Sequence, residues 1–208
     1  MIRSYITVEK PAEFTFEDRK SVFIAHCIPC DEETVAIDFI NKVKKAYPDA
    51  KHHVYAYSLL KNSTARFSDD REPQGTAGLP VLDAIRKNGV QNVCIVVVRY
   101  FGGVLLGTGG LVHAYGQSAL GALRASNIIT YDTYTRLTVC SDYSDYQKLL
   151  PVFSEFDFLP SDTEYTESVR VQGSVISSRF EELLLKINNV TGAKASVSKI
   201  DEIFDYRK

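Results

Sequence analysis

Apolar runs rich in β-branched residues alternate with helix-like segments over the first 130 residues, and this pattern predicts an α/β domain. The strongest run, residues 94–98, is typical of a strand buried on both faces. Apolar positions at helical spacing predict a helix after Asp31, which we take as its N-cap, and a second helix capped by Thr76. A third helix is expected after Gly110. The remaining elements are strands at residues 4–8, 20–28 and 53–60 and a polar loop over residues 61–75.

The pattern changes near Thr130, and the rest of the chain predicts a second, smaller domain. Its elements follow the order β-α-β-β-α-β, which is typical of a ferredoxin-like fold. We therefore place a boundary near residues 128–135 and expect domains at residues 1–130 and 131–208. The strands are predicted at residues 136–141, 163–165, 168–176 and 195–204, and the helices at residues 144–156 and 178–187.

A glycine-rich elbow follows the buried strand, because five of the 12 glycines lie between Gly102 and Gly110. Glycines between a strand and a helix let the backbone turn tightly, and the free N–H groups at the helix start attract an anion. The elbow is therefore a candidate site for the phosphate of a nucleotide or of RNA. A tight turn that serves packing alone explains the same residues equally well. No Gly-Lys-Ser/Thr sequence follows, so the elbow is not a Walker A loop.

Composition narrows the class of protein. Of the 208 residues, 45% are hydrophobic and 24% are charged, which is enough to bury a core, and the net charge of −2 provides no global basic field for nucleic acid. No apolar run approaches the ~20 residues of a membrane span, and the N-terminus lacks the apolar core of a signal peptide, so we expect the cytoplasm.

The four cysteines are too few for a disulfide scaffold. Cys27 and Cys30 have redox-motif spacing, but we expect one buried and one partly exposed thiol without redox function.

Polar residues near the elbow complete the candidate site. Arg99 leaves a buried strand, and we expect it to pair with Asp69, Asp70 or Glu72, although contact with a phosphate is the alternative. The three acids could instead bind Mg²⁺ or hydrogen-bond their own loop, and we favour the loop. The consecutive residues His52 and His53 should face opposite sides of a strand, and they lack the spacing of zinc ligands. We expect no metal, no cofactor and no catalytic residue. The candidate ligand-binding residues are His52, His53, Asp69, Asp70, Glu72, Gly75, Thr76, Arg99, Tyr100, Phe101, Gly102, Gly103, Gly107, Thr108, Gly109, Gly110 and His113.

Several stretches between residues 20 and 128 resemble the IMPACT family, and the whole chain resembles its two-domain bacterial members. These stretches are KSVFIAH at 20–26, HHVYAY at 52–57, SDDREPQGTAG at 68–78, VVVRYFGG at 96–103, LGTGGL at 106–111 and AYG at 114–116. The resemblance implies an α+β protein of two domains, in which a ribosomal protein S5 domain 2-like α/β sandwich precedes a ferredoxin-like domain similar to the last domain of elongation factor G. Three positions depart from the family pattern. Arg71 stands where Gly is usual, Leu105 where Lys is usual and His113 where Arg is usual, which weakens the expected phosphate binding.

The resemblance also implies a function, because eukaryotic relatives are regulators of translation that act by binding a protein partner. Our hypothesis is a cytoplasmic, non-enzymatic binding protein linked to translation, which contacts RNA, the ribosome or a translation factor through the elbow and the neighbouring acidic and imidazole residues. The alternative is an enzyme that transfers phosphate from ATP, with Asp69 or Asp70 as base and Glu72 as a Mg²⁺ ligand. A protein–protein interaction module that binds no nucleic acid is a third possibility.

Overall fold

The structure is a computed structural model that describes residues 4–206. The chain divides into two compact units, a first unit of residues 5–130 and a second unit formed mainly by residues 131–206. Each unit has its own sheet and its own apolar core, so the protein is a mixed α/β chain with two sheets.

The first unit is built on an antiparallel sheet with the strand order β2-β3-β6-β4-β5. Its elements are β1 (Ser4–Val8), β2 (Ala12–Asp18), β3 (Ser21–Pro29), α1 (Glu33–Ala46), β4 (His52–Leu59), β5 (Thr64–Ser68), α2 (Gly78–Lys87), β6 (Val93–Tyr100) and α3 (Gly107–Ala125).

Strand β6 lies at the centre of this sheet, and its residues from Val93 to Val98 are all fully buried. Its side chains alternate between two cores. Val93, Ile95 and Val97 belong to the core shared with α2 and α3, whereas Cys94, Val96 and Val98 belong to the core shared with α1. The prediction of a strand buried on both faces is therefore confirmed, because helices cover both sides of the sheet.

The sequence pattern missed two edge strands and misplaced the starts of α1, α2 and α3. β2 and β5 are mostly exposed and polar, so they lack the apolar run that marked the other strands. Helix α1 has Glu32 rather than Asp31 at its N-cap position, and no side chain in residues 4–206 caps it. Helix α3 begins at Gly107, one turn before the predicted start, which brings the last glycines of the elbow into the helix.

The second unit follows the predicted order of strands and helices. Its elements are β7 (Ile128–Ser141), α4 (Tyr143–Glu155), β8 (Leu159–Tyr165), β9 (Val169–Ile176), α5 (Phe180–Thr191) and β10 (Ser196–Tyr206). The four strands pair antiparallel in the order β10-β7-β9-β8, and α4 and α5 pack against each other. Asp142 caps α4 by accepting a hydrogen bond from the amide of Asp145, which is the ordinary role of aspartate before a helix.

Candidate functional site

The register of the central strands determines which predicted residues lie side by side. Arg99 on β6 is paired with Phe23 on β3 and with His52 on β4, so the three side chains form a row across one end of the sheet. Because Arg99 follows Val97 by two positions, its side chain faces α2 and α3. The polar part of the candidate site is therefore assembled on this face.

A buried ion pair occupies this end of the core. A guanidinium nitrogen of Arg99 donates a hydrogen bond to Oε1 of Glu72 over 2.7 Å, and the Tyr115 hydroxyl donates to the same oxygen over 2.7 Å. Arg99 is 7% exposed, Glu72 9% and Tyr115 not at all. The prediction that Arg99 pairs with a neighbouring acid is confirmed, and the acid is Glu72. Burial, followed by the charge of Glu72, raises the pKa of the Tyr115 hydroxyl, so this group stays protonated as a donor.

The two consecutive histidines lie on opposite faces of β4, as the strand period requires. Nδ1 of His52 donates a hydrogen bond to the carbonyl oxygen of Asp70 over 2.9 Å, and Nε2 of His53 donates to the carbonyl oxygen of Tyr47 over 2.9 Å. A carbonyl oxygen can only accept, so these contacts assign the proton in each ring. Nε2 of His52 is then left 4.0 Å from Oε1 of Glu72. A hydrogen-bond donor placed beside this partly exposed nitrogen would bridge Nε2 of His52 and Oε1 of Glu72.

Asp69 caps helix α2 in place of the predicted Thr76. Its carboxylate accepts hydrogen bonds from the main-chain amides of Gly75, Ala77 and Gly78 over 2.8 to 3.1 Å. Thr76 donates its hydroxyl to the carbonyl oxygen of Pro73 and does not cap the helix, so that prediction is wrong. The cap comes from eight or nine positions upstream because the loop folds back, and spacing rules for local caps do not find it.

The acidic loop is held in an unusual backbone conformation. Asp70 and Arg71 have φ values of +40° and +70°, in the left-handed region that glycine favours. The guanidinium of Arg71 donates a hydrogen bond to the carbonyl oxygen of Lys51 over 2.6 Å. The carboxylate of Asp70 accepts from the amide of His53 over 2.6 Å, which ties the loop to β4. The loop is therefore fixed on both sides.

The elbow combines one tightly packed glycine with several open ones. A Cβ at Gly102 would collide with the main chain of Lys20, and its amide donates to the Ser21 hydroxyl over 3.2 Å, so Gly102 serves packing. Gly103 and Gly107 have φ values of +83° and +72°. Helix α3 starts at Gly107 without a side-chain cap from any residue between 4 and 206. Free amides thus remain at the start of α3, unlike those of α2.

The elbow also carries exposed apolar side chains. Leu105 is 81% exposed, Phe101 55% and Val104 42%, and no residue from 101 to 112 carries a charge. The guanidinium carbon of Arg99 lies 5.6 Å from the centre of the Phe101 ring. Lys20, in the turn between β2 and β3, abuts Gly102 with its main chain and supplies an exposed cation that the sequence reasoning missed. Only the folding of this turn onto the elbow reveals that contact.

Some predicted site residues lie away from this face. His53 and Tyr100 point to the α1 side of the sheet, where the Tyr100 hydroxyl donates to Asp49 over 2.9 Å. His113, by contrast, lies on the α2 and α3 side, where it is exposed on α3 with its ring centre 6.3 Å from that of Phe16 on β2. The predicted site residues are therefore divided between the two faces of the sheet, and the elbow lies beside the buried cluster of Arg99 and Glu72 on one of them.

The chemistry available to this cluster is limited by its own contacts. Asp69, Asp70 and Glu72 each accept hydrogen bonds from the protein, and residues 4–206 contain no group of three metal-ligating side chains arranged around a metal position. Both thiols of the Cys27–Cys30 pair are buried, whereas one was expected to be partly exposed. Burial raises the pKa of Cys27 to about 12 and that of Cys30 to about 11.

A separate groove lies between α2 and α3 and was not predicted. Its volume is about 540 Å³. Of the predicted site residues only Gly75 lines it, because the groove runs along the solvent side of the two helices. We refer to it as the α2–α3 groove. Its lining residues are Gly75, Leu79, Pro80, Asp83, Ala84, Lys87, Asn88, Val112, Gly116, Gln117, Leu120 and Arg124.

Comparison with known proteins gives consistent matches over the first unit and over the full length. The Impact N-terminal domain matches residues 19–123. The chain is 34% identical over 193 residues to IMPACT family member YvyE of Bacillus subtilis, covering 91% of this chain and 89% of that protein. It is 30% identical over 204 residues to IMPACT family member YigZ of Escherichia coli, covering 97% and 100%. Rat Protein IMPACT is 36% identical over 104 residues, which are 46% of this chain and 32% of that protein.

A solved structure is similar to this chain over nearly its full length. The crystal structure of a hypothetical protein matches with a TM-score of 0.60 and 30% identity, covering 97% of this chain and 99% of that one. No helix within residues 4–206 has both the length and the apolar character needed to cross a bilayer.

Proposed function

Because this chain belongs to the IMPACT family, we propose that it is a binding protein linked to the regulation of translation. In this proposal the elbow, defined as residues 101–110, contacts RNA, the ribosome or a translation factor. The observation that carries the proposal is the combination of an exposed aromatic ring at Phe101 with free amides at the start of α3. An aromatic ring can stack on a base, and free helix amides favour a phosphate.

The structure of the site suggests two roles for its residues. Phe101, Gly103, Thr108, Gly109 and His113 are exposed, or lie at exposed backbone, and would contact the partner. A positioning role falls to Arg99, Glu72 and Asp69, which would not touch the partner. Their hydrogen bonds fix the end of β6 and the start of α2. A preformed surface loses less conformational entropy on binding, which supports a scaffold role for the buried cluster.

The charge near the elbow supports contact with phosphate despite the missing lysine and arginine of the family pattern. Arg19 and Lys20 are exposed in the turn whose main chain abuts Gly102. Exposed cations of this kind attract phosphate from a distance and make the affinity fall as salt rises. The net charge of −2 limits this attraction, so we propose a moderate and salt-sensitive affinity.

We further propose that the units have the folds implied by the family resemblance. The strand order β10-β7-β9-β8 of the second unit becomes 4-1-3-2 when its strands are numbered from β7, and with two helices between them it supports a ferredoxin-like fold. For the first unit, an antiparallel sheet with α1 on one side and α2 and α3 on the other supports an S5 domain 2-like fold. Residues 1–130 and 131–208 are the corresponding domains, and the cytoplasm is the proposed location.

A ribosome co-sedimentation assay at low and moderate salt tests the proposal. Gly109→Asp is the informative variant, because a Cβ at this position meets no atom of the described residues within 4 Å and an acidic residue stabilises the first turn of a helix. We expect the variant to fold normally and to lose at least ~10-fold in association, since its carboxylate repels phosphate and accepts from the free amides.

The matched control is Lys45→Glu, which reverses an exposed charge on α1, on the opposite side of the sheet. It should sediment like the wild type. Wild-type protein that stays in the supernatant at both salt concentrations would contradict the proposal. Equal association of wild type and Gly109→Asp would remove the elbow from it.

The phosphotransferase alternative has less support, because each carboxylate it needs already accepts hydrogen bonds within the protein. Titration calorimetry with ATP and Mg²⁺ distinguishes the two hypotheses. Binding in the micromolar range that is lost in Gly109→Val would favour the enzyme. Absence of heat, together with ribosome association, would favour the binding protein.

A further inference from the structure

The α2–α3 groove offers an apolar surface away from the elbow. Leu79 on α2 and Val112 on α3 are 36% and 42% exposed, and Pro80, Ala84 and Leu120 also line the groove. Exposed apolar side chains lining a concave surface are characteristic of a binding groove rather than of an ordinary solvated helix face. The volume of about 540 Å³ is sufficient for a few side chains of a partner.

Gly116 keeps this groove open. It lies in the middle of α3, where glycine weakens a helix relative to alanine, and it does not have the positive φ that would require glycine. A Cβ built at this position meets no atom of residues 4–206 within 4 Å, so internal packing does not require glycine either. The missing side chain leaves room for an atom group from outside the unit.

Charge is concentrated at one end of the groove. Lys87 lies in the last turn of α2 and Arg124 in the last turn of α3. Both side chains are exposed, and neither has an ion-pair partner among the described residues. Asp83 is the acidic residue of the lining. Two cations at the end of an apolar groove complement a ligand that is apolar along its length and acidic at one end.

We propose that the α2–α3 groove binds a peptide segment of a partner protein, with apolar side chains over Leu79, Val112 and Gly116 and a carboxylate at Lys87 and Arg124. The apolar stretch formed by Leu79, Val112 and Leu120 offers no hydrogen-bond partners to the sugars and phosphates of RNA, and the two cations lie at one end only, so the observations favour a protein segment over nucleic acid. The groove is a second site, and the inference does not depend on what the elbow binds.

Selection from a library of random 12-residue peptides displayed on phage, with the full-length chain immobilised, tests this inference. The selected peptides should combine apolar residues with a terminal or near-terminal Asp or Glu. Their affinity for the wild type is then measured by fluorescence anisotropy. We expect Gly116→Leu to weaken binding by at least about 10-fold because its side chain fills the groove. The double variant Lys87→Glu with Arg124→Glu should weaken binding to a similar degree.

Gly116→Ala is the matched control for the helix, because it strengthens α3 and adds a single methyl group, and its binding should change by less than about 3-fold. Lys44→Glu combined with Lys45→Glu, two exposed positions on α1, lowers the net charge by as much as the double charge variant and controls for it. Gly109→Asp separates the groove from the elbow. Both should bind the peptide like the wild type.

Three results would overturn the inference. The first is a failed test of the peptide itself. Either no peptide with apolar and acidic residues is selected, or the Gly116→Leu variant binds such a peptide as tightly as the wild type does. The second is an RNA oligonucleotide whose binding is lost in the double charge variant while peptide binding is retained. The third is a dimer, seen by sedimentation velocity, that Gly116→Leu abolishes, because a second copy of the chain would then occupy the groove.

Discussion

The buried ion pair of Arg99 and Glu72 allows a direct test of what stabilises the candidate site. Replacing Arg99 by Met retains an unbranched side chain of similar length but removes the guanidinium. The Glu72 carboxylate, 9% exposed, would then keep the Tyr115 hydroxyl as its donor and lose its countercharge. The expected result is a large loss of stability in the first unit.

The magnitude follows from the burial of both partners. Removing one member of a buried ion pair typically costs about 3–5 kcal/mol, because an uncompensated charge remains in the core. Tyr115→Phe removes only one hydrogen bond to the carboxylate and should cost about 1.5–3 kcal/mol. Arg99→Met combined with Glu72→Leu removes both charges and leaves one buried hydroxyl unpaired, so it should cost about 1–3 kcal/mol. The double variant should therefore be more stable than Arg99→Met alone.

Urea unfolding combined with hydrogen exchange measures these differences. The chain contains no Trp, and two units can unfold separately, so exchange of the β6 amides is used to follow the first unit by itself. Exposed positions such as Lys45→Ala serve as the baseline. A loss below ~1 kcal/mol in Arg99→Met, or strictly additive costs in the double variant, would refute the account of a coupled buried pair.

Three further outcomes are expected. Asp69→Ala should destabilise the first unit by about 2 kcal/mol because it frees the amides of Ala77 and Gly78 at the start of α2 and that of Gly75 in the loop before it. Asp69→Asn should lose less stability, and faster hydrogen exchange in α2 checks both expectations. Gly102→Ala should lower the free energy of unfolding by about 3 kcal/mol because its Cβ collides with the main chain of Lys20. Gly103→Ala should lower it by about 1 kcal/mol because Gly103 has a positive φ. Thermal unfolding should rank the two variants in that order. Burial lowers the pKa of His26, and Glu13 opposes this shift more weakly, so the unfolded chain takes up the proton first as the pH falls. The stability of the first unit should therefore be full above pH ~6.5 and decrease below it. His26→Gln should flatten this pH dependence in urea titrations between pH 7 and 5.

The strands and helices of the core were predictable because burial leaves a periodic record in the sequence. β6 gave the clearest signal, an unbroken apolar run rather than an alternating one, since both of its faces are covered. The two missed strands, β2 and β5, lie at the sheet edges and are stabilised by pairing with one neighbour rather than by burial. Their hydrogen bonds come from the main chain, which every sequence possesses, so composition alone does not distinguish them from loops.

The candidate site was only partly predictable. The elbow could be located from its glycines, and the need of Arg99 for a countercharge followed from its position beside a buried strand. The partner among Asp69, Asp70 and Glu72 depended on a loop with two residues in the left-handed region, and no local rule specifies that path. The contact of Lys20 with Gly102 joins distant parts of the chain, and the cap of α2 comes from eight or nine positions upstream, beyond the reach of local capping rules.

The order of the elements, the two-sided burial of β6 and the position of the elbow could be read from the residues alone, because these features depend on neighbours within a few residues. The carboxylate that meets Arg99, the amides that stay free and the groove between α2 and α3 became visible only in the folded chain. Those outcomes depend on distances between side chains that lie tens of residues apart in sequence, and such distances are defined once the sheet has paired and the helices have packed on it.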